Sequence, residues 1–334
     1  MAMDAQYEFK IKRQEKAICK QVSLDIPSVS DFQTYIQKFA FQRKRFGFLY
    51  GKFVPSDDED GDAAMDDAGD DDDDGKEAKL LRKCVVEAIY EPPQEIDNEA
   101  AEGFVALEDE REEAVEKIAS MLGLVKVGWI FGHEKRKDYT LSAAEVILAG
   151  EHQLEAADGV NETPFVTVTV SPTADGTVTV EAFQVSQQCM AMCAEEALEV
   201  GENPNECVVN ETFTAIQEGK ASKTVENSFF LTVVPIVQHT SETFIAEFPR
   251  LNRDLDTRTP SNDEMKKQLS KSGTEGWTFE DRLADFNLLV FLSSRLDLDS
   301  DFPKVCSAIV DRSSPLDDGY KIIIKSMAGL DGAY

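Results

Sequence analysis

Histidine is nearly absent, with three residues in 334. The six cysteines (19, 84, 189, 193, 207 and 306) form no C-x-x-C pair. A structural zinc site needs about four closely spaced Cys or His donors, so this scarcity argues against one. Cys189 and Cys193 fall one helical turn apart and read as two ordinary thiols. No apolar run approaches the roughly 18 residues needed to span a bilayer. The opening MAMDAQYEFKIKRQEK has no apolar signal core, so a cytosolic protein with reduced thiols is expected. Basic residues are outnumbered: 34 Lys and Arg face 64 Asp and Glu, a net charge of −30. Phosphate binding needs clustered cations, which argues against nucleic acid and for protein partners, basic ones included. There is no P-loop and no G-x-G-x-x-G.

What is present is enough apolar side chain, 42% of residues, to fill the cores of two ordinary domains. Residues 57–74 hold twelve acids (eleven Asp and Glu59) and no base; taking those twelve from −30 leaves −18. The run 55–76 is too charged to bury anything and is expected to be a solvated loop between two strands, 46–54 and 83–90. It lacks the regular acid spacing of a calcium loop. The spacing of Phe32, Tyr35, Ile36 and Phe39 predicts a helix within 28–45, with Ser28, Ser30 or Asp31 as cap. Further helices are expected at 108–123, ended by Gly123, at 141–153 and at 185–199. Strands are expected at 124–132, 164–170, 177–183, 227–239 and 242–248, with three helices after 260. This alternation points to a layered α/β domain.

The stretch VGWIFGHEKRKDYTLSAAE (127–145) resembles the MPN/JAMM zinc hydrolases, which read approximately G-W-x-H-[ST]-H-P-x6-S-x-x-D. Such a site needs three protein ligands, an open position for water and a carboxylate base. Here Phe131 stands in the first histidine slot, Glu134 replaces the proline, and Glu145 falls one residue beyond the aspartate slot. Lys44 stands where the base is expected, and no neighbour from Gln42 to Phe46 is a carboxylate. Ser142 and Glu145 have the spacing of a capping box, and His133, followed by EKRKD, reads as an exposed loop histidine. Cys84 or Cys207 with His239 carries no thiol-protease signature. The degenerate positions are therefore Lys44, Phe131, His133 and Glu145; no catalytic residue, metal ligand or cofactor is assigned.

FGFLYG (46–51), VVEAIYEPPQ (85–94), LGLVKVGWIF (122–131), LSAAEVILAG (141–150), FQVSQQCMA (183–191) and DFNLLVFL (285–292) occur in this order. Together they resemble the nuclear protein localization protein 4 family over about residues 28 to 300. The resemblance implies an α/β fold: a catalytically dead MPN/JAMM-like sheet-and-helix sandwich with a second, α+β C-terminal domain. The expected division is an arm at 1–27, a pseudo-JAMM domain at 28–174 and the C-terminal domain at 175–334. The implied function is non-catalytic. Members pair with the ubiquitin fusion degradation protein and recruit polyubiquitinated substrates to the AAA ATPase valosin-containing protein, in ER-associated degradation among other settings. They hold an unfolded ubiquitin segment in a groove, in cytoplasm and nucleus and at the periphery of the ER membrane. The family's ubiquitin-like and zinc-binding segments are not seen here, and FKIKRQEKAIC (9–19) is at most their remnant, which puts docking on the ATPase in doubt. Trp129, Ile130, Phe131 and Tyr139 surround the former metal cleft as candidates for the ubiquitin groove; core packing is the competing reading, and the stronger one for Trp129 and Ile130. The alternatives are an active JAMM-type zinc deubiquitinase with a rearranged site and a chaperone-like binder of basic proteins.

Overall fold

The computed structural model describes residues 8–56, 81–97, 99–271 and 276–330. The expected acidic loop, 55–76, lies outside the described residues from 57 on.

Eight strands form the main sheet: β1 (Gln21–Asp25), β2 (Arg45–Pro55), β3 (Leu81–Tyr90), β4 (Val125–Gly132), β5 (Val166–Pro172), β6 (Val178–Val185), β7 (Leu231–Val233) and β8 (Ile236–His239). Their spatial order is β7-β6-β5-β4-β2-β3-β1-β8. The outermost strands β7 and β8 are separated in sequence only by Val234 and Pro235, so the two ends of the sheet must meet. Val234 donates its N–H to Ala182 O at 2.8 Å, and Pro235 O accepts from Val22 N at 2.9 Å, one bond toward each end. The sheet thus curls nearly into a barrel. Proline, which has no N–H to give a ladder, marks the break in what the sequence reads as one strand over 227–239.

Glycines set how closely the central strands approach. A Cβ on Gly51 would lie 1.9 Å from Val85 O, and one on Gly128 2.5 Å from Val166 O. The register of β2 shifts at Tyr50/Gly51 against β3 and at Leu49/Tyr50 against β4, the bulge that bends the curl. Inside it Val22, Leu24, Leu49, Val86, Val127, Ile130 and Val168 are buried. α1 (Ile26–Lys38) closes this core with Phe32 and Ile36, both 0% exposed. Its cap is Asp25, which accepts from Ser28 N at 3.0 Å, rather than any of the three residues expected.

Two further layers pack outside. α2 (Glu112–Met121) ends as Gly123 takes φ +69°, a left-handed value that suits glycine. It packs with α5 (Asn262–Leu269), α6 (Phe279–Leu283), α7 (Phe286–Leu292), α8 (Phe302–Val310) and α9 (Asp318–Met327) in one core that also takes Tyr50 and Tyr90. α3 (Ala143–Ala156) and α4 (Gln187–Ala194) pack with Trp129, Phe131 and Phe165 in another. Small sheets involving 8–10, 198–226 and 94–106 complete the fold.

Three boundaries move. The division at 174/175 does not hold, because β6, β7 and β8 belong to the sheet begun before it. The arm at 1–27 contributes β1 and a strand, Glu8–Lys10, paired with Thr214–Gln217. The strand expected at 242–248 is absent: only Ile245 bridges, to Asp285, whose carboxylate accepts from Glu247 N (2.7 Å) and Phe248 N (2.8 Å). A side chain there supplies the acceptors that a neighbouring strand would give.

Candidate functional site

The four degenerate positions come together where β2, β4 and the start of α3 meet. Phe131 and His133, two apart on β4 and its continuation, share a face with ring centroids 6.0 Å apart. Phe131 is 0% exposed and stacks on Trp129 at 4.6 Å. Ser142 and Glu145 form the expected capping box: Ser142 N donates to Glu145 Oε2 at 2.9 Å, and Glu145 N to Ser142 Oγ at 3.3 Å. Glu145 does more than cap. Arg136 grips both its oxygens, each at 2.6 Å, and Lys44 Nζ stands 3.6 Å away. Burial raises the Glu145 carboxyl pKa, but Arg136 and Lys44 outweigh it and hold the group below its ordinary value.

His133 is not the exposed loop histidine the sequence suggests; it is 6% exposed. Its Nδ1–H donates to Glu134 O at 2.7 Å. Burial first, and then the Arg136 charge, press its pKa down to about 4, so it is neutral at pH 7. The charge run EKRKD misled because one member, Arg136, turns from the surface to Glu145 and its charge bears on the buried ring. The described residues contain no group of three or more His, Cys, Asp or Glu placed to hold a metal ion.

Trp129, Ile130 and Phe131 offer no surface, each being 0% exposed. They belong to cores, and Trp129 Nε1 is satisfied internally by Thr167 Oγ1 at 2.9 Å. Of the four groove candidates, only Tyr139 escapes full burial; the Arg136 guanidinium lies over its ring at 4.9 Å.

An open apolar cleft lies one strand away. Its floor is Phe46, Phe48, Tyr50 and His152, and Phe104, Leu107 and Leu148 add to its lining in a volume of about 420 Å³. α2 supplies a charged wall with Glu112 and Glu116. Tyr50 donates its hydroxyl to Glu116 at 2.7 Å, and Lys126 lies over the Phe48 ring at 4.4 Å while pairing with Glu116 at 3.3 Å. His152 sits among Phe48, Trp129 and Phe165; burial, then Lys126, lowers its pKa to about 4. The alternating aromatics of FGFLYG were legible as a strand. That Phe46 and Phe48 face a cleft follows from α2 and residues 104–107, which are distant in sequence.

A buried ion cluster, missed in the sequence, fixes the rim. Glu91, 1% exposed, is paired with Arg45 and with Arg253, whose Nη2 lies 2.6 Å from Oε1. Arg253 and Arg250 both reach Asp31 at 2.8 Å, and Arg253 also covers the Tyr35 ring at 4.2 Å. Asn252, at φ +63°, donates to Glu91 O at 2.9 Å. Burial raises the Glu91 pKa, but Arg253 and Arg45 overcome it and set the value at about 2. Gln94, three residues on, donates to Phe46 O at 2.9 Å and accepts from Phe46 N at 2.8 Å, tying the EPPQ segment to the edge of the cleft.

The amino-acid sequence has relatives among known proteins. Residues 76–323 match the description of the NPL4 family. The sequence is 32% identical over 326 residues to the nuclear protein localization protein 4 homolog of Dictyostelium discoideum, with 96% of this protein and 50% of that one covered. It is 31% identical over 330 residues to NPL4-like protein 1 of Arabidopsis thaliana, covering 96% and 71%. Against the human nuclear protein localization protein 4 homolog it is 29% identical over 291 residues, covering 75% and 44%. The protein thus spans about half the length of the Dictyostelium relative.

Proposed function

The protein belongs to the NPL4 family, and from that premise we propose that it is a non-catalytic binder of ubiquitin chains. In this reading it pairs with the ubiquitin fusion degradation protein and presents polyubiquitinated substrates to the AAA ATPase valosin-containing protein for unfolding. It works in cytoplasm and nucleus and at the periphery of the ER membrane; among the described residues no helix is long and apolar enough to cross a membrane.

The observation that carries the non-catalytic reading is the clamp on Glu145. The carboxylate nearest the former ligand positions has both oxygens taken by Arg136 and a second cation beside it. Phe131 fills the adjacent ligand slot with an apolar ring. A divalent ion would have to displace two cations and gain only the neutral His133.

The cleft of Phe46, Phe48 and Tyr50 supports the binding half of the proposal. An extended segment needs apolar pockets for alternate side chains and a polar rim to set its direction. The acidic wall of α2 favours segments that carry Lys or Arg between aliphatic residues. This moves the groove away from Trp129, Ile130 and Phe131, and leaves Tyr139 outside it.

The test is capture of ubiquitin chains by the purified protein. Leu107, 41% exposed in the cleft lining, is the residue to change, because Leu107→Asp places a charge among apolar walls without touching a core. Capture weakened at least tenfold is expected. Unchanged capture would remove the cleft from the account.

A further inference from the structure

The clamp on Glu145 leaves a charge over. Two cations, Lys44 and Arg136, converge on one carboxylate, and both line a pocket of about 340 Å³ between the 39–45 turn and the 133–140 loop. Lys135 and Glu134 stand exposed among its lining residues. The charged lining residues are Lys44, Lys135 and Arg136 against Glu134; counting the buried Glu145 behind them as well, the balance is one net positive charge in a protein of net charge −30.

Both inner cations are held in place. Gly103, at φ +80°, leaves room for the Lys44 stem: a Cβ there would lie 2.6 Å from Lys44 Cδ. Lys44 Nζ then donates to Glu102 O at 2.8 Å. An ammonium has three donors; one serves Glu102 O, while Glu145 at 3.6 Å is an ion pair beyond hydrogen-bond reach, so two are unused among the described residues. Arg136 Nη1 donates to Thr140 O (3.0 Å) and Glu145 Oε2, and Nη2 to Glu145 Oε1. A guanidinium has five N–H donors, so Nε–H and one Nη2–H remain unused there. The Tyr139 ring packs against the guanidinium and fixes its position. Fixed cations with spare donors, beside a space of several heavy atoms, are what a carboxylate requires.

We propose that this pocket is a receptor for one carboxylate of a peptide ligand, either the terminal carboxylate of a polypeptide or an Asp or Glu side chain. The carboxylate accepts from Lys44 Nζ and the free Arg136 donors, and the exposed Lys135 attracts it. The site is separate from the aromatic cleft: the two share no lining residue, and Gly103 and Phe104 of one segment face different sides. At physiological salt, charge beyond about 8 Å is screened, so the remote acids of the protein do not forbid the approach of an anion.

The test uses the 334-residue protein and three Gly-Ala pentapeptides labelled at the N-terminus with an uncharged BODIPY dye: one with a free C-terminal carboxylate, one amidated, and one amidated with an internal Glu. At least one carboxylate peptide should bind tenfold or more tighter than the neutral amide, and which one does so identifies the source. Lys44→Gln should lose that preference, while Lys223→Gln, outside the pocket, should keep it. Should Lys44→Gln fail to fold, the surface change Lys135→Glu should still weaken the carboxylate peptide several-fold. Equal binding of all three peptides, or a preference unchanged in Lys44→Gln or in Lys135→Glu, would overturn the proposal. So would full competition by equimolar inorganic phosphate, which would indicate an unspecific anion patch. None of these results depends on ubiquitin capture, so this site and the cleft fail separately.

Discussion

Replacing Glu91 by glutamine keeps its shape and removes its charge, leaving the guanidiniums of Arg45 and Arg253 without their shared partner in the interior. The folded-state pKa of about 2, against an ordinary 4.5, corresponds to a preference for the charged form of about 3 kcal/mol at 1.36 kcal/mol per unit. Breaking a buried pair by removing one partner typically costs about 3–5 kcal/mol. Both routes predict that Glu91→Gln loses on the order of 3 kcal/mol in urea titration at pH 7, or roughly 10 °C in melting temperature at about 2–4 °C per kcal/mol for a protein this large. The pH dependence separates this charge effect from packing. Because the folded pKa lies below the unfolded one, the contribution is complete above pH 4.5 and fades as pH falls through about 2. The gap between wild type and variant should therefore narrow steadily from pH 4.5 to pH 2. A loss under about 1 kcal/mol at pH 7, or a gap that stays constant down to pH 2, would show that the Glu91 charge does not stabilise the fold.

Other outcomes follow from the same geometry. His133 and His152 are held neutral, with folded pKa values of about 4, so the unfolded state takes up their protons first as pH falls. Their contribution is complete above pH 6.5 and is lost progressively toward pH 4; proton NMR at pH 5.5 should find both rings uncharged, and an imidazolium signal from either would contradict this burial. Gly51→Ala puts a Cβ 1.9 Å from Val85 O and should cost about 3 kcal/mol or more, or prevent folding. Gly123→Ala meets nothing within 4 Å but must hold φ +69°, so about 1 kcal/mol is expected by thermal melting. Equal losses in the two glycine variants would show that close strand approach is not what Gly51 provides.

How much of this was readable in sequence depended on distance along the polypeptide. Local signals served well: the apolar runs of β2 and β4, the capping box at Ser142 and Glu145, and the stop at Gly123 are short-range chemistry. The curl of the sheet was not readable, because it rests on Pro235 splitting one apolar run between two partners some 50 to 210 residues away. That split is also why the boundary at 174/175 failed. His133 looked exposed because its neighbours are charged, while its ring is buried beside that of Phe131. Trp129, Ile130 and Phe131 are apolar enough for either a groove or a core, and only the packing of α1, α3 and β5 decides for the core. Glu91 sat in plain view within VVEAIYEPPQ, but its arginines come from residues 45 and 253, which no local pattern links to it.

The proposed function joins ubiquitin-chain binding to the absence of cleavage. Its most direct test is to incubate the purified protein with ubiquitin chains in the presence of added zinc, and in parallel with a chelator, then to recover the bound ubiquitin and measure its length. Polymers captured at full length under both conditions, with capture lost in Leu107→Asp, are the expected result. Shortening that zinc supports and the chelator abolishes would contradict the account.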